Sequence, residues 1–134
     1  MLKIAYHPIY CHPLPKGHRF PMLKYELLPQ QLIYEGTFTQ DNFFEPVRMI
    51  NEAPILSVHD PEYFYELLNI TLNQRAARKI GFPLSEVLVK REITIADGLY
   101  NLLLVYYCYT TENRIQFLVI AENNLCRFLF VMLE

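Results

Sequence analysis

The chain has 134 residues and a mass of 15.9 kDa, a length that points to one domain. Folded alone, it would expose about 7,300 Å² of the roughly 23,000 Å² that its unfolded form offers to water, so a hydrophobic core is within reach. With 52% hydrophobic residues, 19% charged residues and a net charge of −2, it is neither a disordered polyelectrolyte nor a basic phosphate-binding surface, and nucleic acid is not an expected partner.

Leu2 to Ile9 reads as a short apolar strand leading into a proline- and histidine-rich loop, Tyr10 to Pro21. Met22, Tyr25, Leu28 and Leu32 recur at helical spacing up to Tyr34, with Gly36 placed as a stop, although Pro29 argues against one unbroken helix. Phe43 to Val47 reads as a weak strand, and Ile55 to Val58 as a second buried one. Asp60-Pro61-Glu62 has the order of an N-cap, a proline at the first helical position and a first-turn acid, which predicts a helix presenting Tyr63, Leu67 and Leu68 to the core. A further helix is predicted over Asn73 to Ile80, ending at Gly81. Another opens at Ser85 and runs through Val89, Ile93 and Ala96 towards Tyr106. Ile115 to Ala121 and Leu125 to Leu133 read as strands separated by Glu122-Asn123-Asn124. Alternating strands and helices predict an α/β fold.

Composition changes near Gly98. All nine prolines lie at or before Pro83 and all four glycines at or before Gly98, and only five of the last 36 residues are charged. The organisation read from this is a segment 1–98 and a divergent, apolar, strand-rich tail 99–134 within the same unit. Leu99 to Tyr109 is the longest apolar run there, well short of the about 20 residues that a membrane-spanning helix needs. Cys11, Cys108 and Cys126 form no Cys-x-x-Cys pair and read as free thiols, and the N-terminus does not have the pattern of a signal peptide. A cytoplasmic protein is the expectation.

Chemistry has to come from few residues. His7, His12 and His18 with Cys11 are possible zinc ligands, but their spacing on a proline-broken loop matches no common zinc pattern, and loop hydrogen bonding is the competing reading. His59 beside Asp60 is either an oriented base or the neighbour of a helix cap. Gly17 alone cannot cradle a phosphate, and Ser57 and Ser85 lack a nucleophile elbow. Arg75, Arg78 and Lys79 form a basic stripe that reads as a solvated helix face rather than an anion site.

The string from His12 to Tyr25, His-Pro-Leu-Pro-Lys-Gly-His-Arg-Phe-Pro-Met-Leu-Lys-Tyr, closely resembles the first active-site loop of histone deacetylase-like proteins of the bacterial and class IV branch. An opening strand ending His7-Pro8, then Val58-His59-Asp60-Pro61-Glu62-Tyr63, then Gly81-Phe82-Pro83-Leu84-Ser85 agree in order, so the resemblance covers about residues 1–96. It implies the N-terminal fragment of the arginase/deacetylase parallel-sheet fold. In full-length members it also implies a zinc-dependent hydrolase that removes acetyl groups from lysine or related amides. There the metal activates water and polarises the carbonyl while paired histidines move protons. By resemblance, Pro15, Gly17, His18, Arg19, Phe20, Pro21 and Met22 would form the rim and inner wall of the substrate tunnel. Arg19 would lie beneath the metal and hold acetate, with a surface ion pair as its alternative.

The family's Asp-x-His ligand segment, its later ligand Asp, its Gly-Gly-x-His-His segment and its late Tyr motif do not occur in these 134 residues; no two histidines are adjacent. The expectation is therefore a truncated or frame-altered deacetylase-family chain with no catalytic or metal-ligating residues of its own. No cofactor is expected in it, and no unaided turnover. The alternative is a small α/β module that self-associates or binds a partner, with the apolar tail as the expected homo-oligomer contact.

Overall fold

The computed structural model describes residues 2–48 and 52–109. Two short parallel strands, β1 (Ile4–Ala5) and β2 (Phe43–Phe44), pair Ile4 with Phe43 and Ala5 with Phe44. Parallel strands need a crossover between them, and the chain supplies it as helix α1 (Lys24–Tyr34). The pairing is extended at its ends by Tyr6 N–H donating to the Phe44 carbonyl at 2.9 Å and by Asn42 Nδ2 donating to the Leu2 carbonyl at 2.8 Å. Four helices follow: α2 (Ala53–Leu56), α3 (Pro61–Leu68), α4 (Gln74–Ile80) and α5 (Glu86–Tyr109). The described residues thus form a mixed α/β unit, mostly helical, with one small parallel sheet.

Local side-chain chemistry sets several boundaries. Asp60 Oδ1 accepts from Tyr63 N–H at 3.1 Å to start α3, Asn73 Oδ1 accepts from Ala76 N–H at 2.9 Å to start α4, and Ser85 Oγ accepts from Leu88 N–H at 3.2 Å near the start of α5. Gly81 closes α4 at φ +81°, a left-handed value open to glycine at little cost. On α3 the fully buried pair is Phe64 and Leu67, with Tyr63 and Leu68 at the margin of the core.

Other segments differ from the sequence expectation. The first strand is only two residues long, because Pro8 begins a 3-10 turn, Pro8–Tyr10. α1 passes through Pro29: a proline there costs the bond that its amide would give the Tyr25 carbonyl, but the helix is held on both sides by buried Met22 and Tyr25 and by the closing bond from Glu35 N–H to the Gln31 carbonyl. Residues 55–58, expected as a buried strand, form the end of α2 and its exit. Pro54 presets the first turn, Ile55 and Leu56 amides both donate to the Glu52 carbonyl, and Val58 is 76% exposed. The two strands expected within 115–133, and all of the tail contact beyond Tyr109, lie outside the described residues.

α5 organises the core. Leu88, Val89 and Ile93 pack with Leu67, Leu72 and Ile80 of the α3–α4 region, while Ile95 packs with Tyr10, Met22 and Tyr25. Phe82, half-buried, touches both clusters. The helix continues through Gly98, so the change in composition there is no break in the backbone. Glycine is required at that point by close approach, since a Cβ would lie 3.0 Å from the Tyr10 hydroxyl and 3.2 Å from both Ala5 Cβ and Pro46 Cγ. One turn on, Asn101 Oδ1 accepts from Val47 N–H at 2.7 Å, tying the exit of β2 to the same helix. No described helix is long and apolar enough to cross a membrane.

The end of α3 carries strain. Ile70 adopts φ +58°, its N–H donating to the Leu67 carbonyl at 3.2 Å, while Thr71 N–H donates to the Glu66 carbonyl at 2.9 Å. This is the two-bond helix stop that normally uses glycine, here occupied by a β-branched residue. Ile70→Gly should therefore raise unfolding stability by about 0.5–1 kcal/mol, net of the backbone entropy of glycine, as read by denaturant titration; a loss would show that Ile70 packing outweighs the strain.

Candidate functional site

The loop between the 3-10 turn and α1 folds over Phe82. At Pro15–His18 it turns, with His18 N–H donating to the Pro15 carbonyl at 3.0 Å and Gly17 at φ +84°. His18 then stacks on Phe82 at 5.5 Å between ring centres, and Phe20 meets the same ring edge-on at 5.1 Å while stacking on Tyr25 at 6.2 Å. Of the residues singled out from the sequence, Met22 is buried, His18 and Phe20 are half-buried, and Pro15, Gly17, Arg19 and Pro21 are exposed. The structure therefore brings His18, Phe20 and Met22 to the inner side of the loop and leaves Arg19 at the surface.

The three N-terminal histidines differ in what their rings do. His7 Nδ1 accepts from Ile9 N–H at 3.0 Å, and His18 Nδ1 accepts from Phe20 N–H at 3.2 Å, the same local brace made twice. His12 is 95% buried, edge-on to Phe82 at 6.0 Å, and its Nδ1 has no hydrogen-bond partner among the described residues. Two of these rings spend Nδ1 on the backbone, and no group of three His, Cys, Asp or Glu side chains comes together among the described residues. Cys11 lies 4.0 Å from Glu26 Oε2, and burial with that carboxylate pushes its thiol above the ordinary range, away from thiolate chemistry.

The residue that sequence reasoning missed is Arg91. Its side chain is fully buried, Nε donates to the Tyr10 carbonyl at 2.9 Å, Nη1 pairs with Glu92, and the guanidinium lies 5.0 Å from the centre of the Tyr25 ring. Nη2 has no hydrogen-bond partner among the described residues. The signal was in the register: Arg91 falls three residues after Leu88 and four before Ile95, on an apolar stripe where a charge has to be buried. Burial first, then Arg91, then His18 hold His12 below the usual imidazole range, so it is neutral near pH 7. Burial also pushes the Tyr10 phenol well up, with Arg91 opposing and Asp97 reinforcing. The site is thus a neutral imidazole near an enclosed guanidinium, walled by the rings of Tyr25 and Phe82.

Elsewhere the blander readings fit. The Asp60 carboxylate caps α3, while His59 lies half-buried beside the Tyr63 ring. Arg75, Arg78 and Lys79 are exposed on α4, the last two in its final turn, where cations favour the helix end.

No family model matches the chain. It is similar to an uncharacterized protein of Picosynechococcus sp. (strain ATCC 27264 / PCC 7002 / PR-6), with 36% identity over 95 residues covering 71% of this chain and 31% of that protein. The chain thus spans about a third of the length of this relative.

The depressed His12 fixes the sign of a pH effect. The unfolded imidazole takes up a proton near pH 6.5 while the folded one resists, so the contribution of His12 is complete above that value and is lost as pH falls through it towards the folded pKa. In thermal melts from neutral to mildly acidic pH, His12→Gln should show a smaller acid-induced drop in Tm than the parent; equal drops would place the sensitivity elsewhere.

Proposed function

We propose that this chain is the N-terminal part of an arginase/deacetylase-type α/β unit and, taken alone, a truncated and non-catalytic member of the histone deacetylase family. The observation that carries this reading is the loop His12–Tyr25, which in sequence resembles the family's active-site loop and in the structure folds against Phe82 of the Gly81–Ser85 segment, the other long piece of the resemblance. The crossover from β1 to a parallel β2 is in keeping with the start of a parallel-sheet fold. The coverage of about a third of the cyanobacterial relative supports the view that further strands belong to the complete unit. A two-stranded parallel pair is small for such a sheet, which is ordinarily wider and covered on both faces.

In the family reading, Pro15 to Met22 would form the tunnel wall, and Arg19, exposed here, would line an inner cavity only once further strands closed over it. Zinc, where a full-length member binds it, supplies an activated water and a polarised amide carbonyl. The ligand and paired-histidine segments that would hold it and move protons are missing from this sequence, so no catalytic step is assigned to these residues.

The test is hydrolysis of an acetyl-lysine peptide by the purified chain across a zinc titration. The expected result is no turnover above the protein-free blank at any metal level. Turnover that a chelator abolishes and zinc restores would overturn the proposal.

A further inference from the structure

We propose that the loop from His12 to Phe20 is a proton-gated flap: when His12 takes up a proton, the loop lifts off Phe82 while α3, α4 and the start of α5 stay packed. The loop is placed to detach as a unit. Its two ends are fixed, since the Tyr10 carbonyl is bonded to Arg91 just before it and Met22 and Tyr25 are buried just after it. Between those points its hydrogen bonds are local: His18 N–H to the Pro15 carbonyl, Phe20 N–H to His18 Nδ1 and Met22 N–H to the Phe20 carbonyl. Among the described residues, none crosses from the loop to another element, and Pro13 and Pro15 have no amide to offer. Side-chain packing therefore holds the loop down, through the rings of His12, His18 and Phe20 on Phe82 and through Leu14 against the Tyr10 cluster. The other cluster, Leu67, Leu72, Ile80, Leu88, Val89 and Ile93, contains no loop residue and keeps its packing when the loop leaves.

His12 is the trigger because its place suits only the neutral ring. A protonated imidazole carries an N–H on both nitrogens, and Nδ1, buried and without a partner among the described residues, has no acceptor to receive one. The surrounding charges add to that cost. Arg91 of α5 is fully enclosed and always protonated, and after burial it is the main influence, ahead of His18, that holds the ring below its ordinary range. The carboxylates on the adjoining elements are engaged: Glu92 pairs with Arg91, Glu26 of α1 faces the Cys11 thiol, and Asp97 of α5 lies 4.0 Å from Arg48. The Tyr10 phenol and the Cys11 thiol are both pushed up and stay neutral as pH falls. Once released into water, His12 regains its ordinary affinity for a proton. Below about pH 6.5, each further unit of acid then shifts the balance towards the open loop by up to about tenfold.

The experiment is hydrogen–deuterium exchange of the full chain at neutral pH and at about pH 5, read by mass spectrometry with labelling times scaled for the intrinsic effect of pH on exchange. In the parent, peptides covering residues 12–22 should exchange about tenfold faster or more in acid, while those covering 61–96 keep their protection. His12→Gln, which carries no charge at either pH, should remove the response. His18→Asn retains an acceptor for the Phe20 amide without the charge and should respond as the parent does. Equal loss of protection over 61–96, a response that survives in His12→Gln, or one that disappears in His18→Asn would each overturn the proposal. If His12→Gln is open at both pH values, the parent decides the matter: the midpoint of loop opening in a pH series should coincide with protonation of the His12 ring followed by NMR, and separate midpoints would overturn the proposal.

Discussion

A guanidinium sealed from water holds the described fold together. Arg91 reaches from α5 to the Tyr10 carbonyl, pairs with Glu92 on its own helix and lies over the Tyr25 ring of α1. One side chain therefore fixes three pieces that are far apart in sequence: the turn after β1, the crossover helix and the long helix. Burying this charge is costly, and Nη2, without a hydrogen-bond partner among the described residues, adds about 1–3 kcal/mol to that cost. The arrangement persists because removing the group would leave the buried Tyr10 carbonyl without the Arg91 donor, the usual asymmetry of buried polar pairs.

The properties of the loop follow from that anchor. With Tyr10 tied to Arg91, His12 enters the same enclosed space two residues later and is held neutral by burial and by the neighbouring charge. Phe82 serves as the shared wall, touching both hydrophobic clusters and the rings of His12, His18 and Phe20. The loop is consequently positioned by aromatic packing and backbone hydrogen bonds to His7 and His18.

Features with a local mechanism were legible in the sequence. Asp60, Asn73 and Ser85 mark helix starts because each side chain satisfies an amide three residues on, and Gly81 marks a stop because only the left-handed region closes that turn cheaply. Features decided by distant partners were not. The run Ile55 to Val58 has strand-like composition, yet no strand is there to pair with it among the described residues, and Pro54 with the Glu52 carbonyl turns it into a helix. Pro29 looks like a break until the packing on both sides of it is known. In the site, the resemblance directed attention to Arg19, which is at the surface, whereas the enclosed arginine comes from α5 and meets the loop only through tertiary contact. His12 stood out merely as one of three histidines; its distinction is a burial that no spacing rule reports.

Equilibrium unfolding of Arg91→Met in denaturant at neutral pH tests the anchor most directly, because methionine keeps much of the buried volume and removes only the charge and its donors. The account predicts a stability lower than the parent's by about 3 kcal/mol, with the Tyr10 carbonyl left without its donor. A variant as stable as the parent, or more stable, would contradict it.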